Sequence, residues 1–357
     1  MNRFLCCLMF IALPALVRAT EGDVIHVYNW NDYIAPQVLA DFEKQTGIKI
    51  DYKTFSAAEE LNQAMANGEA FDIVVPSNDS LPGLIKGGKL QPLDKARLPN
   101  SHNLDKQILN KLAAFDPKNM YAMPYLWGSI GLAINTPQAE AAFGGPLPKS
   151  WGVIFDPAQS AKLAHCGVSM LDASADVFTL LMNFKGRVLS DSSPRQIRRA
   201  GAALQNIRPN LRMVDSETYI DELNAGKLCV AVAYVGDALT AADSGQPVEF
   251  VIPEEGSVMF VDSMVIPANA PRPDLALKFL DFLMQPEVAA QITSETFYPN
   301  ANAGSVALLD ESLRTMPGIA LEKETRRRLS LMPALPEDVS TVVEEQWGSF
   351  KEAPATP

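Results

Sequence analysis

Histidine is nearly missing from this chain, and with it much of the chemistry that imidazole supports. Among 357 residues there are three, His26, His102 and His165, far apart in sequence. None belongs to a His-Glu-x-x-His run that would set two imidazoles on one metal ion. A Gly-x-Ser-x-Gly elbow, a P-loop and a Rossmann glycine fingerprint are absent as well. These absences argue against zinc hydrolysis, serine acyl transfer and nucleotide chemistry, and no cofactor is expected. Acidic residues are plentiful enough for a two-carboxylate glycosidase, yet no spacing singles out an acid–base pair.

Positive charge is also scarce. There are 30 Lys and Arg against 42 Asp and Glu, a formal charge of −12. Nucleic acid is therefore an improbable partner, because its phosphates need Lys and Arg. A cationic ligand suits the balance, and so does plain solubility. Long apolar runs are limited to one, at the start. Met1-Asn2-Arg3 is basic, Phe4 to Val17 is apolar, and Val17-Arg18-Ala19 ends on small residues at the cleavage positions. This predicts a secretory signal peptide over residues 1–19, too short to span a membrane. Its removal takes away Arg3 and Arg18 and no acid, so the charge moves from −12 to −14. The mature chain is expected to be exported, with no insertion into the membrane.

Of four cysteines, Cys6 and Cys7 leave with the signal peptide and Cys166 and Cys229 remain. An even pair in an oxidising compartment predicts a disulfide, the alternative being two buried free thiols.

What is present is alternation. Val24–Val27 and Ile48–Phe55 read as strands, and Ala35–Gln45 as a helix. Ser56 with Glu59 reads as a capping box for a helix over Ala57–Asn67, stopped by Gly68. Phe71–Pro76 is a buried strand, and Leu81–Lys86 a short helix closed by Gly87-Gly88. A second block carries strands at Cys166–Leu171 and Leu228–Tyr234 and helices at Val177–Phe184 and Pro194–Ile207. Ser257–Pro267 is a further strand. Pro273-Asp274 opens the helix Leu275–Met284, and Pro286 opens the next. Such alternation predicts an α/β fold, mainly parallel sheets covered by helices, in two lobes. A Pro-rich tail, Ala353–Pro357, ends the chain.

One segment stands out. Tyr28-Asn29-Trp30-Asn31-Asp32-Tyr33 sets three rings and a carboxylate at a strand-to-helix junction, where α/β folds place ligands. Rings beside a carboxylate form a receptor for an organic cation. The same residues also suit an ordinary helix entrance with core aromatics.

That segment resembles the periplasmic polyamine-binding proteins. So do Phe71-Asp72-Ile73-Val74-Val75-Pro76-Ser77, Leu90-Gln91-Pro92-Leu93-Asp94 and Ala122-Met123-Pro124-Tyr125. Cys166-Gly167-Val168-Ser169, Val235-Gly236-Asp237 and Phe297-Tyr298-Pro299-Asn300-Ala301-Asn302 complete an ordered set over nearly the whole mature chain. The putrescine-binding branch is the most similar. The resemblance implies a two-lobed periplasmic-binding-protein fold of type II, with crossing strands and a ligand cleft between the lobes. It implies a monomer that carries a polyamine, putrescine first and spermidine next, to an inner-membrane ABC permease. One lobe would hold residues 20–131 and 254–305, the other 132–253 and 306–345, with 346–357 as tail.

The resemblance also implies a ligand set. Trp30, Asn31 and Asp32 match the first contact loop and Ser77 the second. Asp176 matches an acidic position of the other lobe, Tyr234 with Asp237 and Phe260 with Asp262 match ring–carboxylate pairs, and Tyr298 matches a closing ring. Asp79 adds a carboxylate where relatives carry a small or aromatic residue. Further departures are Asn31 for a small hydroxyl residue, Tyr234 for Trp and Asp176 for Glu. Competing functions are a receptor for agmatine, cadaverine, an amino acid or a γ-amino acid, a polyamine sensor without transport, and a secreted hydrolase. A carboxylate-bearing ligand would need an arginine clamp, and no Arg occurs in these segments.

Overall fold

The computed structural model describes residues 23–319, 321 and 323–352. The signal-peptide segment 1–19 and the tail residues Ala353–Pro357 lie outside the described residues.

Ten strands form the framework: β1 Val24–Trp30, β2 Lys49–Phe55, β3 Ile73–Val74, β4 Ala122–Asn135, β5 Val168–Met170, β6 Met213–Val214, β7 Val230–Tyr234, β8 Val248–Val251, β9 Ser257–Val265 and β10 Leu329–Leu331. Their order is β2-β1-β3-β9-β4-β7-β5-β6, with β10 on β9 and β8 on β4. β1 runs parallel to β2 and β3, and β5 runs parallel to β6 and β7. These two parallel groups are the α/β blocks that the alternation predicts. Antiparallel pairing enters where the chain crosses between them. The first part of β4, Ala122–Ser129, pairs with β9, and its second part, Ile130–Asn135, pairs with β7 and β8. One strand thus belongs to both halves of a two-lobed binding-protein fold.

β4 is a long strand that the sequence pattern concealed. Pro124 sits beside a register shift between Pro124 and Leu126, and glycines lie inside the strand. Such residues weaken a strand pattern, but here two glycines make room for rings. A Cβ on Gly128 would stand 2.5 Å from the Phe260 ring, and one on Gly131 2.6 Å from Phe250.

The helices fall near their expected places: Pro36–Thr46, Leu81–Lys86, Ser174–Phe184, Pro194–Ile207, Pro273–Leu283 and Pro286–Thr296. Three details differ. First, β1 continues through Trp30, so the junction is Asn31–Ala35 and Tyr28 is not part of it. Tyr28 stacks on Phe71 at 4.7 Å. Second, the helix after β2 begins at Ala58, one residue late, which makes Glu60 the acidic cap. Its carboxylate accepts from the amides of Ser56 and Ala57, each at 3.1 Å, and Glu59 stays free to face elsewhere. Third, Glu337–Glu352 is one helix, and it buries Trp347 and Phe350. Residues 346–352 therefore belong to the folded body, since two large apolar side chains are anchored there; the tail starts later than 346.

Cys166 and Cys229 are joined in a disulfide with Cα atoms 5.5 Å apart. It ties the turn before β5 to the residue preceding β7, within the second α/β block. Among the described residues, no helix is long and apolar enough to cross a membrane.

Candidate functional site

The carboxyl ends of the parallel strands on both sides of the crossing converge, which is where open α/β sheets leave a crevice. β1 delivers Trp30, Asn31 and Asp32 to it. The turn after β3 delivers Ser77 and Asp79, and the helix after β5 delivers Asp176 in its first turn. β7 ends on Tyr234, and Asp237 lies in the first turn of the helix Val235–Asp243. β9 contributes Phe260 and Asp262, and the segment after Pro286–Thr296 contributes Tyr298.

Asp262 is only 3 % exposed inside a strand. Its two oxygens take hydroxyl donors: Tyr33 Oη at 2.7 Å and Ser77 Oγ in a short contact. Ser77 faces it because Ser77 and Asp262 form a bridge between the β3 turn and β9, with the Ser263 amide donating to the Pro76 carbonyl at 3.0 Å. Asp237 is held in the same manner, by Tyr219 Oη at 2.6 Å and Tyr298 Oη at 2.8 Å. Asp176 accepts from Tyr234 Oη at 2.7 Å. Asp79 has no side-chain donor among the described residues; only the amides of Asp79 and Ser80 act on its carboxylate.

The rings that hold these acids touch one another. Tyr234 meets Phe260 edge-on at 5.7 Å, Phe260 lies 6.3 Å from Tyr298, and Tyr33 meets Tyr298 edge-on at 4.8 Å. Trp30 packs on Phe55 at 4.4 Å and leaves its indole N–H buried without a partner. Asp176 and Asp237 thus stand at opposite ends of one aromatic wall.

Removal from water is the main cause of raised acidity constants here. It lifts Asp262 and Asp176 from 3.8 to about 7, and Asp79 and Asp237 to about 6. Hydroxyl donors pull Asp262, Asp176 and Asp237 back down in part. Neighbouring acids push up: Asp79 and Asp176 on Asp262, Asp79 and Glu59 on Asp176, and Asp32 on Asp237. The acids share one electrostatic neighbourhood. Burial also raises Tyr33, Tyr219, Tyr234 and Tyr298 well above 10, so these phenols stay protonated as donors. Among the described residues, none of Asp32, Asp79, Asp176, Asp237 and Asp262 forms an ion pair with Lys, Arg or His.

Asn31 and Asp32 are less enclosed. Asn31 is exposed and donates to Ser56 Oγ at 2.6 Å, which ties it to the end of β2. Asp32 is exposed at the lip, with a positive φ of 51° that Asp tolerates better than most residues. Tyr33 and Tyr219 were not singled out as site residues from the sequence. Tyr33 was visible only as one ring of the first segment, and nothing in sequence joins Tyr219 to Asp237. Among the described residues, no group of three or more His, Cys, Asp or Glu is arranged to hold a metal ion.

Residues 37–318 match the family model described as bacterial extracellular solute-binding protein. The chain is 37 % identical over 348 residues to the putrescine-binding periplasmic protein SpuD of Pseudomonas aeruginosa, covering 95 % of each. It is 38 % identical over 355 residues to the putrescine-binding periplasmic protein PotF of Escherichia coli, covering 96 % of this chain and 95 % of the other. A solved structure from Listeria monocytogenes, assigned to a spermidine/putrescine ABC transporter, superposes with a TM-score of 0.85 at 29 % identity. That match spans 93 % of this chain and 100 % of the other.

Proposed function

Because the chain belongs to the bacterial extracellular solute-binding proteins, we propose that it captures a small aliphatic polyamine between its lobes and delivers it to an inner-membrane ABC permease. One observation carries this reading: a wall of touching rings is edged by enclosed carboxylates that have hydroxyl partners and no cation. A carboxylate out of water needs a compensating charge. A linear amine supplies ammonium groups for the acids and methylenes for the ring faces. Asp262 and Asp237 take ammonium groups, and Trp30, Tyr234, Phe260 and Tyr298 line the alkyl chain, with Asp32, Asn31 and Ser77 at the rim.

The magnitudes suffice without covalent chemistry. Hydrogen bonds to charged groups contribute roughly 1.5–3 kcal/mol each, and an enclosed cation–π contact about 2 kcal/mol. Micromolar binding requires about 8 kcal/mol net of the cost of ordering the ligand. The protein binds its ligand and releases it unchanged. In this reading one lobe comprises residues 20–131 and 254–305 and the other 132–253 and 306–345. A ligand touching both favours their closed arrangement. The signal peptide 1–19 sends the chain to the periplasm, where it acts as a monomer. The putrescine-binding names of two relatives support an amine with at least two ammonium groups.

A thermal-shift series tests the reading. With ligand-free protein, putrescine, spermidine, cadaverine and agmatine are compared with amino acids and a γ-amino acid. The expected result is a melting temperature that rises with amine concentration and not with amino acids. A flat response to every amine overturns it.

A further inference from the structure

We infer that the cleft is built for a linear aliphatic triamine in preference to a diamine, and that Asp79 is the residue that sets this preference. The inference rests on the polyamine-binding reading above and specifies its substrate class.

The acids fall into three places. Asp237 stands at one end of the ring wall with Asp32 beyond it, Asp262 stands in the middle, and Asp176 with Asp79 stands at the other end. Hydrogen bonds fix this order: Asp176 to Tyr234, Asp262 to Tyr33, and Asp237 to Tyr298. Between Asp176 and Asp237 lie two ring-to-ring steps of 5.7 and 6.3 Å, from Tyr234 to Phe260 and from Phe260 to Tyr298. An extended diamine of putrescine's length covers about one such step, and a triamine of spermidine's length covers both. A diamine satisfying Asp262 and Asp237 leaves the Asp176–Asp79 end with two adjacent carboxylates and no cation.

Asp79 differs from the others in how its oxygens are used. Asp262 and Asp237 each accept two hydroxyl hydrogen bonds and Asp176 accepts one, whereas Asp79 accepts none from a side chain among the described residues. An ionised carboxylate has about four acceptor sites, so Asp79 keeps the most capacity for an incoming ammonium. Its position is nevertheless fixed. The neighbouring Asn78 is fully buried, donates to the Met332 carbonyl at 2.9 Å and accepts from the Val261 amide at 3.0 Å. The turn bearing Asp79 is thereby clamped onto β9 and the segment after β10. Asp79 and Glu59 both raise Asp176, and Asp79 raises Asp262, so an added negative charge reaches the middle and far positions of the cleft.

Calorimetry on the purified protein tests this with putrescine, spermidine and 1,8-diaminooctane, which has spermidine's length but lacks its central nitrogen. Spermidine is expected to bind at least about tenfold more tightly than either diamine, the worth of one further charge-assisted contact. Asp79→Asn, which keeps the side chain's size, is expected to cut spermidine affinity about tenfold and change putrescine affinity less than about threefold. Equal affinity for spermidine and 1,8-diaminooctane overturns the inference, because length and not charge would then decide. So does an Asp79→Asn variant that weakens both amines alike. The wild-type ligand series decides the matter even if the variant folds poorly. Should wild-type protein bind none of the three, the polyamine reading itself fails, a result distinct from binding without preference for the triamine.

Discussion

Gly236 leaves the space that the Tyr298 ring fills: a Cβ there would stand 2.1 Å from the nearest ring carbon. The same ring carries the hydroxyl that donates to Asp237, the residue after Gly236, at 2.8 Å. The absence of a side chain at one position therefore sets the hydrogen bond of the next. Gly236→Ala is expected to push Tyr298 out of the wall and free one oxygen of Asp237. Overpacking at a buried position costs roughly 1–3 kcal/mol of stability. Polyamine affinity should fall about tenfold beside that loss, since ring contact and acid orientation fail together. Calorimetry showing affinity within twofold of wild type would contradict this role for the glycine.

Asp262→Asn tests the central carboxylate. The amide keeps the size of the side chain and continues to accept from Tyr33, while Ser77 Oγ turns to accept from the new NH2 group. Affinity for putrescine or spermidine should drop at least about tenfold, the value of one charge-assisted hydrogen bond. The fold should not suffer. Burial raises Asp262 to about 7, so at pH 8 its ionised form opposes folding, and the neutral amide removes that opposition. A melting temperature at pH 8, without amine, equal to or above wild type is expected together with the weakened binding. Unchanged affinity would remove Asp262 from the site.

Much of the framework was legible because it rests on local signals. Leu81–Lys86 and Pro194–Ile207 have their expected bounds, since Gly87-Gly88 and a Pro at the first helical turn mark the ends chemically. β4 was not legible, because its glycines reflect rings from distant segments and not the strand's own preference. The same division runs through the cleft. Asp262 attracted notice as a lone carboxylate in an apolar strand, and the structure sets it beside Ser77 as the matched segments imply. Tyr219 could not be found that way. Its link to Asp237 is made by the packing of two helices, Tyr219–Asn224 and Val235–Asp243, and neither sequence announces the other.

The disulfide and the cleft should be separable. Cys166 and Cys229 lie 63 residues apart, and closing a loop of that length removes about 4 kcal/mol of unfolded-state entropy on the chain-entropy model. The double variant Cys166→Ser/Cys229→Ser should lose stability of that order in urea unfolding. Neither cysteine bonds to any of the cleft acids, so amine affinity at a temperature where the variant is folded should match wild type. A variant as stable as wild type would show that the bridge adds nothing to the second block.

The acids also fix a pH dependence, and its sign follows from the direction of their shifts. In the unfolded chain these carboxyls titrate near 3.8, whereas in the fold Asp79 and Asp237 rise to about 6 and Asp176 and Asp262 to about 7. Between those limits the native state binds more protons than the unfolded state, so without amine its stability falls as pH rises from about 4 to about 7. An ammonium ligand needs the ionised carboxylates, so its affinity moves the opposite way and rises across the same window. Each proton that must leave on binding changes affinity about tenfold per pH unit below its acidity constant. Putrescine affinity should therefore increase more than about tenfold between pH 5 and 7.5. At pH 6 binding should release protons, which is visible as a heat that depends on the ionisation enthalpy of the buffer. Affinity that stays flat from pH 5 to 7.5, with heats independent of buffer, would mean that the enclosed acids are not the groups that hold the amine.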